Sequence, residues 1–306
     1  MSENRGWSKH KFLVTIPVII VFLLALLLTG CEKNVDFQLN DEPSKLVVEA
    51  TIENGQPPVV FLSSSLNYFS QIDPAILANS FVHDADVFIS TGSRTQKLKE
   101  YSVPLSASYR IYYYSIDSAN LTNVFLGELN HSYTLKINTG GQEYSSTTTI
   151  PKITKKIDSL WFIPSTGADT NKVVVMLRAT DPPGFGDYVR YWTKKNHEAF
   201  LPGRTSVFDD LFIDGTTYQL QVDPGFDRNN PVQDDKRYFA RGDTVTFKLS
   251  NIDKTTYDFW RTMEYSYESV GNPFATPVKV LGNISNGALG YFGGYASQSR
   301  TIIIPH

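Results

Sequence analysis

Two hydrophobic periods organise this chain. From Lys45 onward apolar residues recur at alternate positions: Leu46, Val48, Ala50 and Ile52 are interleaved with Val47, Glu49, Thr51 and Glu53, the pattern of a strand with one buried face. Asn54-Gly55 supplies a tight turn, and residues 59–63 read as the return strand. Residues 81–90, 110–116, 133–137 and 143–150 continue the strand pattern, punctuated by Thr91-Gly92-Ser93 and Asn138-Thr139-Gly140-Gly141. No convincing helical period interrupts this half. Leu129 followed by Tyr133 at a strand start matches a tyrosine corner. The expectation is an immunoglobulin-like β-sandwich over residues 45–151, closed by Pro151.

Beyond a junction at Pro151 to Lys156, a second β-rich domain is expected over 152–306. Residues 172–179, 188–193 and 244–249 read as strands, and 278–281, 290–295 and 301–305 as closing strands. Residues 196–242 read as loop-rich, with Pro202-Gly203, Asp214-Gly215 and Pro224-Gly225. One stretch changes period. Tyr257, Trp260, Met263, Glu264 and Tyr267 fall three and four residues apart behind Asp253, which predicts one amphipathic helix over about 253–268, ended by Gly271-Asn272-Pro273. An aromatic stripe at that spacing is core. The fold class is therefore mainly β.

The N-terminus has a different character. Arg5, Lys9 and Lys11 precede the uncharged run 12–29, which ends in Leu28-Thr29-Gly30-Cys31. This resembles the bacterial lipobox, so residues 1–30 are expected to be an export signal cleaved between Gly30 and Cys31. The Cys31 thiol would take a diacylglycerol, and its new amino group a further acyl chain such as palmitate. Several chains anchor stably where one is marginal. Pro17 and the Gly-Cys end argue against an uncut membrane anchor. Residues 31–44 form a polar tether. Acidic residues close behind the cysteine resemble surface-export signals of the Bacteroidota and imply a protein facing the cell exterior.

Composition narrows the chemistry. Of 306 residues, 41% are hydrophobic, enough for sizeable cores. Removing Arg5, Lys9, Lys11 and Glu3 with the leader leaves 25 basic against 30 acidic residues, which offers no electrostatic reason to bind nucleic acid or a polyanionic surface. Cys31 is the only cysteine, so neither a disulfide nor a cysteine-rich zinc site can form within the chain. The five histidines lack a two-histidine metal spacing, and no nucleophile elbow or phosphate loop occurs. His83 with Asp84 and Asp86 is the tightest polar cluster and reads as a strand edge. Asp223 to Asn230 is the segment whose side chains most suit calcium, but its turn-forming composition explains it without an ion. Gly290-Tyr291-Phe292-Gly293-Gly294-Tyr295 suits core packing better than sugar or peptide binding. No catalytic residue, cofactor or metal site is expected.

A lipobox, Leu46-Val47-Val48-Glu49-Ala50 before a glycine turn, Asp84-Ala85-Asp86-Val87, Gly242-Asp243, the Tyr257 to Trp260 helix, Gly271-Asn272-Pro273-Phe274, Asn283-Ile284 and residues 287–292 follow one another in this order. The arrangement resembles a Bacteroidota lipoprotein family described as domain of unknown function 4249. The resemblance implies an outer-membrane lipoprotein often encoded beside a TonB-dependent transporter of the SusC type, and it brings no catalytic residue. The expected function is a non-enzymatic, lipid-anchored accessory or ligand-capture partner of such a transporter. A surface hydrolase or peptidase using loop carboxylates and an adhesin-like envelope protein are the alternatives. The absence of a nucleophile or metal motif weighs against the first, and the absence of repeats against the second.

Overall fold

A computed structural model describes residues 43–306 apart from 67–72, 107, 120–124, 228–237, 273 and 277. The leader, Cys31 and the tether lie outside the described residues.

Strands β1 (Leu46–Glu53) and β2 (Val59–Ser64) form the expected hairpin around Gly55, whose φ of 73° is the left-handed conformation the turn needs. They join β5 (Lys99–Pro104) and β6 (Arg110–Ser115) on one side. On the other side β1 pairs in parallel with β16 (Leu289–Ile303), which leads to β15 (Thr244–Ile252), β11 (Tyr188–Lys195) and β12 (Leu201–Phe208). The result is one eight-stranded sheet in the order β12-β11-β15-β16-β1-β2-β6-β5. Two four-stranded sheets accompany it. One contains β3 (Asp86–Thr91), β4 (Arg94–Lys97), β7 (His131–Thr139) and β8 (Gln142–Ile150); the other contains β9 (Lys156–Pro164), β10 (Lys172–Thr180), β13 (Thr217–Val222) and β14 (Phe239–Ala240).

Three apolar clusters result, two of them large and a smaller one around Tyr257, Phe259, Tyr291 and Tyr295. The first gathers Leu46, Val48, Ala50 and Ile52 of β1 with Val87 and Ile89 of β3, Leu135 and Ile137 of β7, and Phe292 of β16. The second gathers Val173, Val175 and Leu177 of β10 with Val189, Phe247, Leu249 and Phe239. The first core also takes Phe292 and Ala296 from beyond the expected junction at Pro151, and the large sheet runs straight across it. The link is the parallel β1–β16 pairing, a contact between chain ends that alternation within a strand does not reveal. Tyr133 is buried at the corner of β7, and its hydroxyl accepts the Glu128 N–H at 2.7 Å, as a tyrosine corner requires.

The amphipathic helix is α2 (Lys254–Ser269); a shorter helix, α1 (Pro74–Ser80), precedes it in the chain. In α2, Asp253 Oδ1 accepts the Thr256 N–H at 2.8 Å, an N-cap. The other oxygen of Asp253 takes the Thr148 hydroxyl at 2.8 Å and the Thr149 N–H at 3.0 Å, tying the helix start to β8. Helix α2 lies over the face of the large sheet turned away from the first core. Phe259 stacks on Tyr291 with ring centroids 4.2 Å apart, and the Trp260 indole donates to the Tyr295 hydroxyl at 2.9 Å. Tyr291, Phe292 and Tyr295 are buried, as the packing reading of residues 290–295 expected. Gly294 lets β8 approach β16 closely, because a Cβ there would run into the Thr149 carbonyl.

Four expectations need correction. Helix α1, with Asp73 as its N-cap and proline in its first turn, was not expected; seven residues are too few to display a helical period. Residues 278–281 are not a strand, and the two expected closing strands after residue 290 are one continuous strand, β16. Residues 196–242 hold β12, β13 and β14 rather than loops alone. Tyr267 of the proposed buried stripe is exposed, while Phe259 is buried in its stead.

Candidate functional site

The second core is open at one end. A cavity of about 710 Å³ enters between β10 and β13 on one side and β11, β12 and β15 on the other. Its floor is core: Val222, Phe247 and Leu249 are almost fully buried and also line the cavity. Its walls are Tyr191, Tyr218, Phe208 and Leu220, with Arg204, Asp209 and Asp223 among the polar lining residues. Mostly apolar walls and a few charged groups, at this volume, are the usual form of a small-molecule site. Burial pushes the Tyr191 and Tyr218 phenols up to about 12, reinforced by nearby carboxylates including Asp223 for Tyr191 and Asp181 for Tyr218. Both remain protonated at neutral pH and can donate a hydrogen bond. Gly203 of β12 permits the position of Tyr191, since a Cβ there would overlap the tyrosine hydroxyl.

Two loops flank the cavity. One follows β10 and carries Asp181, Gly184, Gly186 and Asp187. The other, between β12 and β13, carries Asp209, Asp210 and Asp214 and supplies Phe212 and Ile213 to the cavity wall. The pairing of Thr180 with Thr217 brings the two loops to the same end of the sheet. They are laced together by side chain to backbone contacts. Asp210 Oδ2 accepts the N–H groups of Gly186 at 2.7 Å and Asp187 at 2.9 Å, and Asp214 Oδ1 accepts that of Gly184 at 2.6 Å. One carboxylate oxygen from each of Asp181, Asp210 and Asp214 lies within 4.8 Å of the other two. Asp181 is fully buried, and neither of its oxygens accepts a hydrogen bond. The fully buried Lys155 ammonium stands 3.5 Å from Asp181 Oδ1 and likewise makes no hydrogen bond. Burial raises the Asp181 carboxyl above its ordinary value; Lys155 draws it down, and Asp187 and Asp210 push it further up.

Apolar side chains crown these loops. Phe185 is 74%, Leu211 63% and Phe212 92% exposed, and Phe212 lines the cavity. Exposed large apolar side chains on neighbouring loops are a feature of interaction sites.

The residues singled out by sequence lie elsewhere or do other work. His83 does not combine with Asp84 and Asp86. Its Nδ1 is 2.5 Å from Glu100 Oε1, the Asp84 N–H donates to Glu100 Oε2 at 3.2 Å, and Asp86 pairs with Lys97. This is the strand-edge arrangement expected. His131 bonds the Leu129 carbonyl at 2.9 Å. In the segment Asp223 to Asn230, Asp223 lines the cavity and accepts from Gln221; residues 228–230 lie outside the described residues, as do Gly30 and Cys31. The cavity is not legible in the sequence; Asp181, Asp210 and Asp214 stand there only among many acidic loop residues, with nothing to bring the three together. Asp181 is separated from Asp210 and Asp214 by about thirty positions, and only the pairing of β10 with β13 makes them neighbours. The legible cue was an aspartate directly after a compact apolar strand, followed by Pro-Pro-Gly.

Residues 32–301 match the family described as a domain of unknown function, DUF4249. No curated protein matches the chain.

Proposed function

The chain belongs to the DUF4249 family, and from that premise we propose that it is a lipid-anchored outer-membrane lipoprotein of the Bacteroidota type that faces the cell exterior and captures a ligand for a TonB-dependent transporter. The observation that carries this reading is the cavity at the open end of the second core. Its apolar floor, two phenolic donors and mixed charges suit a mainly apolar small molecule with a polar end. The reading assigns no chemistry to the protein: the cavity walls hold no histidine or cysteine, and capture needs none.

Anchoring gives a weak binder its advantage. A fourteen-residue polar tether after Cys31 has a root-mean-square reach on the order of 20 Å. The body would then be held at the membrane, where effective concentration towards a neighbouring transporter is high and a modest interface is well occupied. Phe185, Leu211 and Phe212, exposed on the two loops that flank the cavity, are the surface assigned to that neighbour; Phe212 itself lines the cavity from which ligand would be handed over.

The anchor is tested by mass spectrometry of the purified protein, which should show loss of residues 1–30 and an added acyl mass on Cys31; Cys31→Ser should accumulate as precursor. The partner is tested by pull-down from detergent-solubilised outer membrane together with protease shaving of whole cells. Protection from external protease without a co-purifying transporter would refute the surface-capture reading.

A further inference from the structure

We propose that Asp181, Asp210 and Asp214 form a binding site for a hard divalent cation of the calcium class, which ties together the two loops at the cavity mouth. Four observations carry this, and none depends on what the cavity binds.

The first is geometry. Calcium–oxygen distances are about 2.3–2.6 Å, so two oxygens on one ion can be no more than about 5 Å apart. The three carboxylates meet that limit, with one oxygen from each within 4.8 Å of the others. The second is orientation. The backbone amides of Gly184, Gly186 and Asp187 occupy Asp214 Oδ1 and Asp210 Oδ2. These bonds hold the two carboxylates in place, as outer hydrogen bonds usually hold cation ligands.

The third is the unmet demand at Asp181. A fully buried carboxylate normally accepts several hydrogen bonds, and leaving it without them is costly. Apart from the long 3.5 Å ion pair with Lys155, Asp181 has no polar partner at either oxygen. The fourth is charge. Lys155 contributes one positive charge, at 3.5 Å and without a hydrogen bond. It faces three clustered carboxylates and the nearby Asp187, whose Oδ1 is taken by the Thr154 hydroxyl. One ammonium therefore leaves the cluster with excess negative charge, which a divalent ion would neutralise. All the side chains offered are carboxylates, which suit calcium or magnesium rather than a softer metal. Ligands drawn from two loops rather than from one regular cage favour calcium, which tolerates irregular coordination.

The experiment uses the full-length protein in detergent, stripped with chelator and titrated with calcium chloride. The melting temperature should rise saturably with calcium. Terbium bound at the site should luminesce on tyrosine excitation, through Tyr218 nearby, and calcium should compete that signal away. Asp214→Asn keeps the oxygen that accepts the Gly184 N–H but removes a charge, and should weaken calcium binding more than about tenfold while melting at the wild-type temperature in chelator. Asp210→Asn should do the same and guards against misfolding of the first variant. If calcium moves neither the melting temperature nor the terbium signal, Lys155 alone serves as counter-charge and the proposal fails. It fails equally if both variants keep the wild-type calcium response.

Discussion

The two sandwiches share one sheet yet treat their interiors differently. In the first, most buried polar groups are met by partners, the Ser146 hydroxyl excepted. The Tyr114 hydroxyl donates to Glu100 Oε2 or the Val82 carbonyl, both 3.0 Å away, and the Ala85 N–H reaches it at 3.2 Å. The Tyr133 hydroxyl is met by the Glu128 amide. In the second, the core floor opens into a cavity, and beside it Lys155 and Asp181 are buried without a hydrogen bond. A filled core with satisfied polar groups serves stability. A core left open, with strained electrostatics at its edge, is where function is normally placed at the expense of packing. On the proposed reading, the first sandwich supports and the second recognises.

That assignment is broken most directly by truncating one side chain in each. Leu135 is fully buried in the first core, and Leu135→Ala should lower unfolding stability by about 3 kcal/mol through lost burial and a residual cavity. Phe212 is 92% exposed beside the cavity, so Phe212→Ala should change stability by less than about 0.5 kcal/mol but weaken binding of an environment-sensitive apolar dye. Urea denaturation and dye titration read the two effects separately. Equal destabilisation by both variants, with dye binding unchanged, would remove the distinction between the sandwiches.

A smaller effect is expected where the two halves are joined. Asp253 caps α2 and holds Thr148 and Thr149 of β8. Asp253→Ala removes the cap and both tethers and should cost about 1–2 kcal/mol. Amide hydrogen exchange should then quicken in the first turn of α2 and in β8 together. Loss confined to the helix would show that the clamp to the first sandwich carries no weight.

The contrast also explains what could be read from sequence. Strands β1, β7 and β10 were visible because each has residues buried in a closed core: the alternation of Leu46, Val48, Ala50 and Ile52 is a record of which face meets apolar neighbours. Strands β12 and β13 were missed because they line an opening. Leu220 is 41% and Phe208 44% exposed, so apolar and polar residues no longer sort by face and the period of two fades. The turn formers Pro202-Gly203 and Asp214-Gly215 then dominate the pattern. Helix α2 was legible from its cap and stripe, although Phe259 was overlooked because it lies beside the stripe drawn through Tyr257 and Trp260. The carboxylate site was hidden for a related reason. Its members are joined by β10–β13 pairing, and a reading that sees 196–242 as loops cannot pair anything there.

The finest test concerns Glu100, the carboxylate that organises the supporting half. Burial alone would push its carboxyl up. The hydrogen bonds from His83, the Asp84 amide and Tyr114, with the His83 charge, outweigh that and hold it below its ordinary value of 4.5. A carboxyl depressed by folding contributes stability that is present above its unfolded value and is lost as pH falls through the folded value. Wild type should therefore be more stable than Glu100→Gln at pH 7, by about 1 kcal/mol, since glutamine keeps an acceptor for Tyr114 and Asp84 but loses the charge. The gap should close as the pH is lowered past 4.5, when the wild-type carboxyl is protonated and equally uncharged. Urea midpoints of both proteins across that range supply the measurement. Dye binding in the second sandwich should stay the same in both proteins at neutral pH, because Glu100 belongs to the other core. A gap that does not change with pH would mean that shape rather than charge makes Glu100 useful. Dye binding that followed the mutation would mean that the shared sheet couples the halves more tightly than their separate cores imply.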